Sequence, residues 1–190
     1  MVITIVEYDP RWPDEFRALA HPLRAVLGES ALRIDHIGST AVRDLPAKDI
    51  IDIQVTVANL EEALDTLLAP LGYTPYVEIT NDHRPPLATG PDSDWEKRYF
   101  RPPPAMRAMH LHVRAAEHPN QRYPLLFRDY LRVHPRATGG YAALKRAIAH
   151  FHPGNMDIYS DIKDPACDII IAAAEDWATA SGWKLGPTDA

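Results

Sequence analysis

Residues 50–57 read Ile-Ile-Asp-Ile-Gln-Val-Thr-Val, and no other stretch constrains the fold as much. The β-branched content is that of a central strand. Side chains on a strand alternate between two faces, so Asp52, Gln54 and Thr56 point one way and Ile51, Ile53, Val55 and Val57 the other. A carboxylate sealed unpaired in an apolar layer is strongly disfavoured by desolvation. Asp52 therefore meets a cation, a metal or hydrogen-bond donors, or it looks into a solvent-filled cleft. The plain alternative is an ion pair with Lys48 or Arg98.

The flanking sequence supplies the other elements. A β-branched run at 2–6 predicts a strand that ends at Asp9-Pro10. Phe16, Leu19, Ala20, Leu23, Val26 and Leu27 recur at helical spacing, which predicts a helix over 12–27 with Pro22 inside it and Gly28 as its stop. Residues 31–37 alternate apolar and polar, and they run as a strand into Gly38-Ser39-Thr40. Asn59 and Glu62 form a capping-box pattern for a helix that ends at Gly72. A strand at 73–79, a polar loop at 80–94, and strands at 97–101 and 106–114 around Pro102-Pro103-Pro104 follow. Beyond about 120 the chain turns helical, at 124–134, at 140–151, and from Asp164-Pro165 to about 181, with a frayed tail after Gly182. Strands first and helices later predict an α/β (α+β) fold, a mixed sheet packed on helices in one domain of 190 residues.

Charge narrows the partners. A net charge of -6 argues against duplex nucleic acid as a ligand. No run of about 18 apolar residues predicts a membrane span. The one cysteine excludes an internal disulfide, and the first residues lack a basic segment followed by an apolar one, so the expected location is cytoplasmic.

Three groups of residues point to chemistry. The glycine of Gly38-Ser39-Thr40 permits close backbone approach to a ligand, and the following amides and hydroxyls suit phosphate oxygens; a simple strand-to-helix turn is the alternative. His110 and His112 lie two apart on a strand, so both imidazoles leave one face, where they either ligate a transition metal, contact phosphate or line a polar groove. Lys48, Lys97, Arg98, Arg107 and Arg114 lie near the same strands in an otherwise acidic chain, which fits a phosphate or carboxylate ligand. Lys145, Tyr159 and Lys163 fit closure over a cleft and an outer surface equally well, and Asp82-His83 reads as a surface pair.

The segments Tyr8-Asp9-Pro10-x-Trp12, His36-Ile37-Gly38-Ser39-Thr40-Ala41-Val42, Leu45-Pro46-Ala47-Lys48-x-Ile50-Ile51-Asp52-Ile53, His110-Leu111-His112-Val113 and Phe127-Arg128-Asp129-Tyr130-Leu131 together resemble the GrpB family. The resemblance implies a nucleotidyltransferase-like fold, with activity left open; in some relatives such a domain is fused to dephospho-CoA kinase. It also implies that Gly38 and Ser39, with Thr40 beside them, hold nucleotide phosphates, and among the cations near the strands Lys48, Arg98 and Arg107 are expected to support them. Asp52 and Gln54 take the places of the paired catalytic acids; where the third acid belongs, the neighbouring strand offers His110 and His112, so metal is held by a mixed set of Asp52, His110 and His112 or not at all. Two functions follow from it. One is transfer of a nucleotidyl group from a nucleoside triphosphate to a small acceptor with Mg²⁺. The other is a non-catalytic module that binds a phosphorylated small molecule or a protein, which the amide at Gln54 favours.

Overall fold

The computed structural model describes residues 2–60, 63–86 and 88–190. Its framework is a five-stranded mixed sheet formed by β1 (Arg33–Ile37), β2 (Ile51–Val57), β3 (Thr74–Pro75), β4 (Arg98–Arg101) and β5 (Met109–Ala115). The order across the sheet is β1-β2-β5-β4-β3. β2 and β5 run parallel, and the other pairs are antiparallel. The register sets Asp52 opposite Ile37 on one side and opposite His110 on the other, with Gln54 opposite His112 and His112 opposite Tyr99.

The two faces of the sheet are covered differently, as the alternation in β2 requires. Ile51, Ile53, Val55, Val57, Phe100, Leu111 and Val113 pack against Trp12, Phe16, Leu19 and Leu23 of helix α1 (Trp12–Leu27) and Leu64 and Leu68 of helix α2 (Leu64–Leu68). Each such side chain contributes about 1.5–3 kcal/mol by leaving water. On the other face lie α3 (Pro119–Val133), α4 (Pro135–Phe151) and α5 (Met156–Ser181). There Gln54, Thr56 and Arg114 are joined to their surroundings by hydrogen bonds. Gln54 Nε2 donates to the Gln121 carbonyl at 2.9 Å, Arg114 Nη1 donates to Gln54 Oε1 at 2.8 Å, and Gln121 Nε2 donates to Thr56 Oγ1 at 3.3 Å. A buried amide satisfied in this way costs little, whereas one left open is destabilising.

β1 lies at the edge of the sheet, and its open side is covered by the last residues of the chain. Ile34 N donates to Thr188 Oγ1 and His36 N to Asp189 Oδ2, each at 2.9 Å, while Ala190 N donates to the Ile34 carbonyl at 3.1 Å. The buried Arg128 fastens this seam, donating to the His36 carbonyl at 2.9 Å and to Asp189 at 2.6 Å. The expectation of a frayed tail is thus corrected. Polar side chains at 188 and 189 satisfy strand-edge groups that otherwise invite another chain.

Other expectations shift in extent. The run at 2–6 is extended but forms only one bridge, from Val6 to Ala47, because no neighbouring strand lies alongside. The strand expected at 73–79 shortens to Thr74–Pro75. Among the described residues the helix expected from Asn59 is α-helical over Leu64–Leu68, followed by a 3-10 turn at Ala69–Leu71, and the Glu62 half of its capping box lies outside the described residues. α5 starts at Met156, where Asn155 Oδ1 accepts from Ile158 N, and not at Asp164-Pro165; α4 likewise runs through Gly139 and Gly140. Among the described residues no helix is long and apolar enough to cross a membrane.

His36 gives a measurable consequence of this packing. Its ring stacks on Phe16 at 4.8 Å, with Nε2 at 3.0 Å from Thr40 Oγ1, and burial pushes its pKa down to about 4. The unfolded chain therefore binds a proton that the folded chain refuses between about pH 6.5 and pH 4. Folding stability falls as pH drops through that window, by up to about 3 kcal/mol from this residue. Urea unfolding across the window is expected to give a shallower pH slope in His36→Gln than in the wild type; an identical slope would assign the acid sensitivity elsewhere.

Candidate functional site

The sheet register assembles the site around Asp52. Gly38, the residue after β1, has φ +70° and ψ -170°, a region open essentially to glycine alone. A Cβ added there would lie 2.2 Å from Asp52 Oδ2. Glycine is thus required twice, once by the backbone conformation and once by the carboxylate pressed against it. From the other side, His110 Nδ1 lies 2.8 Å from Asp52 Oδ1 and His112 Nε2 lies 3.9 Å from the same oxygen. The Tyr99 ring packs on both imidazoles, at 5.7 and 5.2 Å between centroids. One ligand atom from each of Asp52, His110 and His112 falls within 4.8 Å of the other two.

Burial by itself would raise the Asp52 carboxyl, but hydrogen bonding and charge from His110 and His112 hold it well below the usual carboxylate range. Burial pushes the His112 imidazolium down to about 4, against the pull of Asp52. Burial likewise pushes the Tyr99 phenol up to about 12. At neutral pH the group is an ionised carboxylate, a neutral His112 ring and a protonated phenol.

Above this face lies a hollow of about 480 Å³, closed on its far side by α4 and α5. Lys145 reaches into it from α4, 2% exposed, donating to Ser39 Oγ at 2.8 Å and to the Pro46 carbonyl at 2.5 Å, over the Tyr141 ring at 4.7 Å. Among the described residues it has no carboxylate partner, and burial lowers its pKa to about 7. Lys48 stands over the Tyr159 ring at 5.2 Å, its pKa also lowered by burial. The other two lysines of the wall are paired, Lys97 with Asp82 and Lys163 with Asp164, each at 2.6 Å.

Of the residues the sequence singled out, Gly38, Ser39, Thr40, Lys48, Asp52, His110 and His112 share the wall of this hollow. Gln54 does not; its amide is spent on Gln121 and Arg114. Arg98 pairs with Asp65, since its position in β4 turns it to the face covered by α2. Arg107 is held by Glu15 and Asp49, beside the start of α1. Arg114 pairs with Asp82 at 2.7 Å. Asp82 is no surface residue: it is a wall of the hollow, and although burial would raise it, Arg114 and Lys97 keep it ionised. Lys145, Tyr159 and Lys163 take the cleft position and not the outer one. For Lys145 a signal was present in the sequence. It lies on one helical stripe with the buried Tyr141, Ala142 and Ile148, where a lysine is out of place unless the stripe meets a polar site.

The signature of one family, described as GrpB protein, matches residues 2–173. A crystal structure of conserved protein GrpB from Enterococcus faecalis superimposes with a TM-score of 0.72 at 31% identity, covering 92% of this chain and 99% of that one. A UPF0157 protein of Halalkalibacterium halodurans is 33% identical over 90% of this chain and 82% of its own length. A dephospho-CoA kinase of Mycolicibacterium paratuberculosis is 36% identical over 96% of this chain but only 48% of its own length. The chain thus spans about half of the kinases it matches.

Replacing Gly38 by alanine forces both the backbone and Asp52 to move. Gly38→Ala is expected to lose about 1–3 kcal/mol of folding stability, read as a lower thermal midpoint. Gly38→Ala in an Asp52→Ala background is expected to recover part of that loss, and an additive double variant would show that the carboxylate contact contributes nothing.

Proposed function

This chain belongs to the GrpB family, and from that premise we propose that its hollow binds a phosphorylated small molecule of the nucleotide class. The observation that carries the reading is Lys145. A buried ammonium held by a hydroxyl and a carbonyl, with no carboxylate in contact among the described residues, leaves a positive charge unmatched at the base of an open hollow. An anionic ligand supplies what is missing, because a buried charge is tolerated when it is paired. The Ser39 hydroxyl lies beside it, and Lys48 adds a second cation with no carboxylate contact among the described residues. Phosphate fits this set better than a carboxylate because several donors converge from different elements on one small volume.

Transfer of a nucleotidyl group with Mg²⁺ finds less support. Mg²⁺ takes oxygen ligands in octahedral geometry and is commonly held by carboxylates. Asp52 is the one carboxylate in the triad; the position two residues on is the sequestered Gln54, and the neighbouring donors are imidazoles. The residues present do not fit that ion, so no transfer step is assigned to it. Recognition of the phosphate by the protein's own cations and donors accounts for the geometry without it.

Calorimetric titration with pyrophosphate, ATP, ADP and dephospho-CoA, without divalent metal, tests the reading; dephospho-CoA joins the set because relatives carry the name dephospho-CoA kinase. At least one of these is expected to bind the wild type and to bind Lys145→Met at least tenfold more weakly. Since Lys145 titrates near 7 and binds an anion only when protonated, affinity is expected to fall as pH rises from 7 to 9, with proton uptake on binding. Failure of every probe, or binding indifferent to Lys145→Met, would remove the proposal.

A further inference from the structure

We propose that Asp52, His110 and His112 form a binding site for a divalent first-row transition metal, distinct in kind from the Mg²⁺ site that the fold resemblance implies. The three side chains come from two adjacent parallel strands, and their placement follows from the register. Asp52 and His110 are directly paired across the ladder, and His112 leaves the same face one repeat further on. Three donors on neighbouring strands of a rigid sheet, with Gly38 and Tyr99 packed around them, lose little freedom when a cation arrives.

The distances suit a small cation. Bonds of about 2.1 Å set neighbouring ligand atoms about 3.0–3.4 Å apart in octahedral or tetrahedral geometry. The Asp52 oxygen lies 2.8 Å from His110 Nδ1 and 3.9 Å from His112 Nε2, which brackets that range. All three ligand atoms fall within 4.8 Å of one another, so a cation that takes them together draws the set inward by about an ångström. His112 Nδ1 is buried with no partner among the described residues, so no hydrogen bond at that nitrogen holds the ring against such a movement. Asp52 and His110 are about a quarter and a third exposed into the hollow, which leaves the remaining coordination positions open to water or to a ligand oxygen.

Donor type decides the metal. Two imidazoles and one carboxylate favour zinc, cobalt, iron or manganese, and they disfavour Mg²⁺ and Ca²⁺, which demand oxygen. A set with two histidines, one carboxylate and open positions matches a site that exchanges its remaining ligands, and not a sealed structural one. The metal site stands on its own geometry and does not require the phosphate reading, which rests on Lys145.

Cobalt titration of the full chain tests the proposal, using protein without a polyhistidine tag, stripped with chelator and kept in a phosphate-free buffer. One Co²⁺ per chain is expected to bind with visible d–d absorption and to be displaced by stoichiometric Zn²⁺ but not by a hundredfold excess of Mg²⁺. Asp52→Asn and His110→Gln are each expected to weaken Co²⁺ at least tenfold. His110 is the safer variant because its side chain is partly exposed, and circular dichroism confirms that the variants remain folded. Absence of one-to-one binding, an unchanged affinity in folded His110→Gln, or displacement by Mg²⁺ at similar concentration would overturn the assignment. Lys145→Met is expected to leave the cobalt spectrum intact, so failure of the phosphate reading and failure of the metal site give different results.

Discussion

A charged group in the middle of a sheet cannot be buried on the same terms as its isoleucine neighbours, and the architecture accommodates Asp52 by giving the two faces different covers. On one face α1 and α2 supply a closed apolar layer. On the other, α3 lies close and answers Gln54 and Thr56 with hydrogen bonds from Gln121, Arg114 is answered by Gln54 and Asp82, and α4 and α5 stand off and leave a hollow over Asp52. The polar side chains nearer α3 are consumed by structure. The carboxylate beyond its reach faces the hollow.

The pairing register turns that constraint into a site. Gly38 and His110 flank Asp52 because Ile37 and His110 are its partners on either side, and a slip of β2 by one residue would turn Asp52 to the apolar face. The seam that fixes β1, made by Arg128, Thr188 and Asp189, therefore acts at a distance on the site by holding the strand that delivers Gly38. Charge is arranged with similar economy. Asp82 pairs with both Lys97 and Arg114, Asp164 pairs with Lys163, and among the described residues Lys145 and Lys48 touch no carboxylate.

Much of this was legible along the chain. The alternation at 50–57, the glycine bend after a strand and the spacing of His110 and His112 are local patterns, and each was set by the period of a single element. The family resemblance rests on these segments together with Tyr8–Trp12, Leu45–Lys48 and Phe127–Leu131. Errors fell where an element depends on neighbours: the run at 2–6 has strand composition but no strand beside it, and α5 begins eight residues before the Asp-Pro pair because Asn155 caps it. Proximity in sequence points Arg98 and Arg107 toward the cleft, whereas their side chains leave on the side of Asp65 and of Glu15.

By itself, then, the sequence determined that one sheet face is polar, that a glycine-serine bend follows a strand, and that a carboxylate and two imidazoles share a direction, because strand periodicity is a property of consecutive residues. Only the tertiary structure decided that these meet one another and that Lys145 and Asp82 join them. Ser39 and Lys145 are 106 residues apart in sequence and 2.8 Å apart in space. Contacts of that separation depend on how helices pack across a sheet, which no local period encodes.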